Sequence, residues 1–320
     1  MKSKKLLLVA VIIIVLALTA TISITKSLSA KKQFILIGID GVQYDHFTKM
    51  LVAGKLPNYQ RLINGVGTSD SGINSSAEIT GHTDTSTAPG NAELFTGLPS
   101  SVTTITDNSC DKKIPKGLTV FERLHEANAS IKLGLVYGKK TCYVPESILS
   151  NAKTAVNWWF DKTNYPQKQY ISNAYTDSRS VSIKALEFIN ANKENSFFLA
   201  MYYGAPDAAG HTYGENSKEY DDAIINTDEA LGILIDQIQQ NEMNVTITIT
   251  SDHGWNEGTK DHSRNALDSR TIPMLSNDSS IVTPASKKQQ CSVAPTVYKY
   301  FNIKKSIYSD VTKADCFPMF

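Results

Sequence analysis

Five short apolar runs recur along the 320-residue chain: Phe34–Ile39, Ile131–Tyr137, Phe197–Tyr203, Val245–Thr250 and Thr271–Leu275. Each is rich in β-branched or aromatic side chains and too short for a helix, the pattern of strands buried on both faces of a parallel sheet. Between them, helical periodicity covers Leu118–Glu126, Val181–Ala191 and Lys218–Gln239. The last of these places Tyr220, Ile224, Leu231, Ile235 and Ile238 on one face. Strands alternating with helices predict an α/β fold with a mostly parallel central sheet and helices on both faces.

Three stretches break this rhythm. At the start, Lys2, Lys4 and Lys5 precede an unbroken apolar run from Leu6 to Leu18, with a softer tail to Ile24. A basic start and an apolar core read as a secretory signal peptide. The 19 residues from Leu6 to Ile24 are also long enough to span a bilayer. Residues 1–32 are therefore a signal peptide or an N-terminal membrane anchor. Both readings place a single domain of residues 33–320 outside the cytoplasm, whether periplasmic, secreted or membrane-anchored. The second stretch, Gly67–Thr87, is polar throughout and reads as a long loop, functional or disordered. The third, Cys142–Tyr170, holds Trp158, Trp159, Phe160, Tyr165 and Tyr170 and reads as a small lid.

Removing the leader changes the charge. The whole chain has 32 basic and 31 acidic residues, six of the lysines lying in residues 1–32, so residues 33–320 hold 26 basic and 31 acidic groups. A mildly acidic domain without clustered Lys and Arg argues against a nucleic-acid polymer as partner. It leaves open a small phosphate ester, because bound metals would set the local field. The four cysteines, Cys110, Cys142, Cys291 and Cys316, suit disulfides in an exported chain. Proximity in sequence favours Cys110–Cys142 and Cys291–Cys316 among three possible connectivities.

In open parallel sheets ligands bind beyond the carboxyl ends of the strands. There the sequence places Asp40 after the first strand, Asp207 and His211 after the third, and Asp252 and His253 after the fourth. His262 stands shortly before the fifth. Three aspartates and three histidines are ligands for zinc, with manganese or iron as less favoured choices. The Asp207…His211 spacing lets one tight turn deliver both side chains to one ion. Adjacent Asp252 and His253 point in different directions and could serve two ions. Six ligands suit a two-metal clamp on attacking and leaving oxygens. Thr87, in Thr-Ala-Pro-Gly-Asn-Ala, stands before a short helix of about Pro89 to Phe95, whose N-terminus attracts anions. Metal coordination can make its hydroxyl a nucleophile. Thr87 also has a plain reading as a helix cap, and His46 and His125 read as surface residues.

The string around Thr87 resembles the nucleophile motif of the alkaline phosphatase superfamily. It is most like the nucleotide pyrophosphatase/phosphodiesterase branch and the related sulfatases. Asp40, Thr87, Asp207, His211, Asp252, His253 and His262 follow in the family's order. The resemblance implies an alkaline-phosphatase-like fold with a small or minimal lid. It also implies one zinc on Asp40, Thr87, Asp252 and His253, and another on Asp207, His211 and His262. It makes Asn108 a contact to the phosphoryl oxygens and Lys139, in a Gly-Lys run like that of sulfatases, an anion contact. Two departures narrow the chemistry. Threonine cannot become the formylglycine that sulfatases need, and Asn91 stands where they carry an arginine. No Lys-x-Arg pair of the threonine-dependent monoesterases is present, which favours diesters.

The implied activity is cleavage of phosphodiesters or nucleotide pyrophosphates through a phosphothreonine, on a substrate such as a nucleotide or a phospholipid head group. The alternatives are a phosphomonoesterase with the same site and an exported relative that binds metal without turnover. A cofactor-independent mutase and a phosphoethanolamine transferase share the site chemistry but fit a single export segment less well.

Overall fold

The computed structural model describes residues 31–65, 73–78, 85–109, 112, 114–139, 177–262, 266–278, 280–281, 289–313, 316 and 318–319. For residues 73–78, 312 and 313 only the backbone is described. The N-terminal apolar run, the Cys142–Tyr170 lid and the Cys110–Cys142 pairing lie outside these residues.

Strand β1 (Gln33–Ile39) leads into helices α1 (Tyr44–Val52) and α2 (Pro57–Ile63). Strand β2 (Ile73–Glu78) precedes helix α3 (Thr87–Thr96), then α4 (Val120–Ala127) and β3 (Lys132–Tyr137). Helix α5 (Ser178–Asn192), β4 (Phe197–Tyr203), α6 (Ala205–Tyr213), α7 (Lys218–Gln240) and β5 (Thr246–Ser251) follow. Strand β6 (Thr271–Ser276) and helix α8 (Val293–Tyr300) come last among the elements used below. The strands lie in the order β2-β6-β5-β1-β4-β3.

The expected parallel sheet is present at the centre, where β5, β1, β4 and β3 all run the same way. At one edge the parallel run stops. Strand β6 is antiparallel to β5, and β2 is antiparallel to β6. Strand β2 comes from the polar stretch read as loop. Its sequence, Ile-Asn-Ser-Ser-Ala-Glu, lacks the apolar run of a strand covered on both faces, and among the described residues it pairs with β6 alone.

Alternate residues of β1 build two cores. Phe34 and Leu36 pack on one face with Ala92, Phe95, Phe198, Val297 and Tyr298, beneath α3, α4 and α8. Ile35, Ile37 and Ile39 pack on the other with Val181, Ala185, Leu231 and Ile235, beneath α5 and α7. A strand so placed must be apolar on both sides, which is why its period-2 signal vanishes from the sequence. Helix α7 starts where Ser217 Oγ accepts from the Tyr220 N–H at 3.1 Å, with Glu219 and Asp221 in its first turn. Helix α4 starts on a capping box between Thr119 and Glu122. Cys291 and Cys316 are disulfide-bonded, as proximity suggested.

Candidate active site

The carboxyl ends of β1, β4 and β5 are adjacent, so residues far apart in sequence meet there. Asp40 extends the β1–β4 pairing by one bond, its N–H donating to Tyr203 O at 2.8 Å. Gly41 then turns the chain at φ +66°, and its N–H donates to Asp252 Oδ1 at 3.2 Å. A side chain on Gly41 would strike Trp255 Nε1 at 2.7 Å, so glycine is required for two reasons. Asp207 and His211 are delivered by helix α6, one helical turn apart, rather than by the tight turn expected. Trp255 lies against that helix and makes an edge contact with the His211 ring, centroids 5.0 Å apart.

The ligand-type atoms fall into two groups. In one, His253 Nε2 lies 3.4 Å from Asp40 Oδ1, 3.7 Å from Asp252 Oδ2 and 3.5 Å from Thr87 Oγ. In the other, Asp207 Oδ1 lies 3.4 Å from His211 Nε2 and 3.5 Å from His262 Nε2, which are 3.1 Å apart. The groups touch, with His253 Nε2 3.9 Å from Asp207 Oδ1. A tetrahedral ion with bonds of about 2.0–2.1 Å separates its ligands by about 3.3 Å, close to most of these spacings. Asp252 and His253 point into the same group, so the expectation that the pair divides between two ions is not met. Their side chains converge because His253 N–H donates to Asp252 Oδ1 at 3.0 Å, folding the aspartate back.

The fit to a metal rests on oxygens and nitrogens left over. Asp40 Oδ1 and Asp207 Oδ1 are buried and accept no hydrogen bond, a condition buried carboxylates rarely tolerate without a cation. Both buried histidines are held by their other nitrogen: His262 Nδ1 meets Thr85 O at 2.6 Å and His253 Nδ1 meets Gly254 O at 3.0 Å. A carbonyl can only accept, so Nδ1 carries a proton in both, and Nε2 is the atom turned toward its group. Two sets of ligand atoms lie close enough together to hold an ion, Asp207 with His211 and His262, and Asp40 with Asp207 and His253, so Asp207 belongs to both.

The electrostatics follow from crowding. Burial and the neighbouring His253 charge push His262 down to about 3, so it is a neutral imidazole. Burial works against a charge on His253 too, but Asp252, Asp40 and Asp207 outweigh it and lift its pKa to about 9. Burial and the charge of Asp40 raise Asp252. Asp207 is buried as well, yet Lys139 and the three histidines hold it below the usual carboxylate range.

Thr87 is the first residue of α3 rather than a residue before it, and Ser86 takes the cap position. Helix α3 is buried over its whole length. Asn108 Oδ1 accepts from the Ala88 N–H at 2.9 Å, which pins its carbonyl end to the helix. A contact with a phosphoryl oxygen then has to come from its NH2 end. Lys139, just past β3, donates to Thr87 Oγ at 3.2 Å and pairs with Asp40 Oδ2 at 2.5 Å and Asp207 Oδ2 at 2.7 Å.

Three further residues hold the site and had no sequence signal as strong. The Tyr202 hydroxyl donates to Asp252 Oδ2 at 2.6 Å, and its ring stacks on Tyr137 at 4.2 Å. Asn91, at the position of the sulfatase arginine, donates to Thr87 O at 2.9 Å and reaches Asp252 Oδ2 at 3.3 Å. Gln290 Nε2 donates to the carbonyls of Ser251 and Asp252 at 2.8 and 2.9 Å. The alternating side-chain directions of β4 could have marked Tyr202 as inward. Nothing local marks Gln290, which arrives from 38 residues beyond Asp252.

Residues 34–311 match the type I phosphodiesterase / nucleotide pyrophosphatase family. The chain belongs to that family. Its fold is that of the alkaline phosphatase superfamily: the alkaline phosphatase of the Antarctic bacterium TAB5 superposes with a TM-score of 0.55 at 14% identity, covering 86% of this chain and 98% of that one. A putative sulfatase from Bacteroides fragilis superposes with a TM-score of 0.56 at 15% identity, covering 88% of this chain and 78% of that one. In sequence, 64 residues are 36% identical to mouse ectonucleotide pyrophosphatase/phosphodiesterase family member 7, covering 19% of this chain and 15% of that protein. A stretch of 135 residues is 30% identical to the 2,3-bisphosphoglycerate-independent phosphoglycerate mutase of Metamycoplasma hominis, 42% of this chain and 27% of the mutase. Human bis(5'-adenosyl)-triphosphatase is 27% identical over 128 residues, 37% of this chain and 28% of that protein. The matches thus span between about a seventh and just over a quarter of these relatives' own lengths.

Proposed function

We propose that this family member is an exported two-zinc hydrolase that cleaves phosphodiesters or nucleotide pyrophosphates through a phosphothreonine on Thr87. The observation that carries the proposal is the convergence of seven side chains at one end of the sheet, with Thr87 Oγ 3.5 Å and Asp252 Oδ2 3.7 Å from His253 Nε2, and Asp207 Oδ1 within 3.5 Å of His211 and His262. Asp40, Thr87, Asp252 and His253 would hold one zinc, and Asp207, His211 and His262 the other. Bound there, a zinc pair supplies positive charge and Lewis acidity to the attacking and leaving oxygens.

The protein's own groups do the rest. Lys139 donates to Thr87 Oγ, which favours its ionised form over the hydroxyl. The oxygen attacks phosphorus and the P–O bond on the far side breaks, expelling an alcohol from a diester or a phosphate group from a nucleotide pyrophosphate and leaving the rest of the substrate esterified through phosphorus to Thr87. Water attacking the same phosphorus breaks the Thr87 Oγ–P bond and releases a phosphomonoester. The N-terminus of α3 and the Asn108 NH2 group face the non-bridging oxygens as charge builds on them. The substrate would be a small ester such as a nucleotide or a phospholipid head group, and related members are named for nucleotide-type substrates. The basic, apolar leader and the Cys291–Cys316 disulfide support residence outside the cytoplasm.

The test uses Thr87→Ala in the purified protein, with zinc content measured and a nucleotide aryl phosphodiester compared with an aryl phosphomonoester. Wild-type protein should carry zinc and cleave the diester faster. The variant should lose turnover by about 1,000-fold or more while retaining most of its zinc. Wild-type rates in the variant would overturn the nucleophile, and faster monoester cleavage by the wild type would replace the diester reading with a monoesterase.

A further inference from the structure

Asp40 and Asp207 each divide their two oxygens. Oδ1 of Asp40 faces the His253 group and Oδ1 of Asp207 faces the His211–His262 group. The two Oδ2 atoms turn the other way and meet one ammonium, Lys139 Nζ, at 2.5 and 2.7 Å. The same nitrogen reaches Thr87 Oγ at 3.2 Å. Lys139 is held in that place: its side chain is 11% exposed, and a side chain on Gly204 would strike Lys139 Cβ at 2.8 Å. One fixed cation therefore lies behind both ligand groups, sharing a carboxylate with each.

We propose that Lys139 is a positioning residue that acts as a built-in counter-ion and limits how tightly both groups bind metal. The inference rests on the zinc reading above. Its physical basis is charge. Three carboxylates gathered in a buried pocket repel one another, and an ammonium between two of them offsets that repulsion when metal is scarce. Once cations occupy the Oδ1 side, the same ammonium is a like charge one carboxylate away from each, and low-dielectric surroundings magnify the repulsion. A lysine here therefore stabilises the metal-free protein and weakens metal binding together, and it does so at both groups because it touches both. An oriented scaffold without that charge would do the reverse, strengthening binding through alignment alone. The two roles predict opposite signs when the charge is removed.

The experiment strips the full-length protein of metal with a chelator and titrates zinc against a chromophoric competitor, for wild type, Lys139→Met and Lys139→Arg. Melting temperatures are recorded with and without zinc. Lys139→Met should bind two zinc ions with affinity raised by about tenfold or more, because a buried like charge has gone. Its metal-free melting temperature should fall, so zinc should stabilise it by a larger increment than wild type. Lys139→Arg, which keeps the charge, should stay near wild type in both readings. Where Lys139→Met folds only with zinc present, the counter-ion role is supported outright. Where it does not fold at all, Lys139→Gln carries the same comparison. Equal or weaker zinc affinity in the neutral variants, with zinc bound by wild type, overturns the counter-ion role and leaves the metal reading standing. Absence of zinc binding by wild type overturns the metal reading and this inference with it.

Discussion

Single residues show where sequence reading succeeds and where it stops. Asp40, Asp252 and His253 could be named from strand ends and Thr87 from a helix start, while His211, inside a helix, and His262, in a loop, needed the family's order as well. The partners that aim them could not be named, because they come from other strands. Tyr202 is one, its hydroxyl 2.6 Å from Asp252 Oδ2. Tyr202→Phe should keep the fold and lower zinc affinity or turnover by roughly 10–100-fold, as outer partners of metal ligands do; unchanged values in a competition titration and a rate assay would count against its role. His46, read as a surface residue, is in fact clamped: Nδ1 makes a very short contact to Glu215 and Nε2 meets Asp221 at 2.8 Å. Burial disfavours its charge, but the two carboxylates outweigh burial and raise its pKa above 6.5. A raised folded-state pKa gives stability that is full below about 6.5 and is lost as pH climbs through the folded value. The melting-temperature gap between wild type and His46→Gln should therefore be widest at mildly acidic pH and shrink in alkali. A gap that is flat with pH would show that the imidazole is not charged in the folded protein.

At the scale of elements, α3 is the piece that brings the nucleophile to the sheet. It is buried on every side, which no amphipathic pattern announces, so its length was read short. It lies so close to the end of β5 that a Cβ on Gly90 would meet Asp252 O at 2.3 Å. Gly90→Ala should cost about 1–3 kcal/mol in denaturant unfolding, the usual penalty of overpacking, and should depress turnover because Thr87 and Asp252 move apart. A variant as stable and active as wild type would mean that the helix shifts freely. The β2–β6 edge was missed for a different reason. The sequence Ile-Asn-Ser-Ser-Ala-Glu has the composition of a loop, and its backbone pairing with β6 makes it a strand.

Over the whole molecule, the α/β class and the parallel centre were readable because buried parallel strands have an unmistakable composition. Strand order was not, since it depends on which apolar runs choose each other, β1 finding its two partners more than 150 residues away. The chain's last described segment is tied back by the Cys291–Cys316 bond, which closes a separation of 25 residues directly beside Gln290 and its hold on Ser251 and Asp252. Replacing both cysteines with serine should cost about 3 kcal/mol by chain entropy and lower the thermal midpoint accordingly. Stability independent of reducing agent would show that the segment is held by packing alone.

The strand order has a consequence for how the protein is made. The centre of the sheet, β1, is synthesised first, while its neighbours end at residues 203 and 251. At ordinary rates of translation the ribosome needs on the order of ten seconds or more to deliver even the nearer one. For that interval the most apolar strand of the sheet is a bare, sticky edge on a nascent chain that cannot begin to fold around it. Under the export proposed above, handing such a chain unfolded to a translocation channel would avoid that hazard.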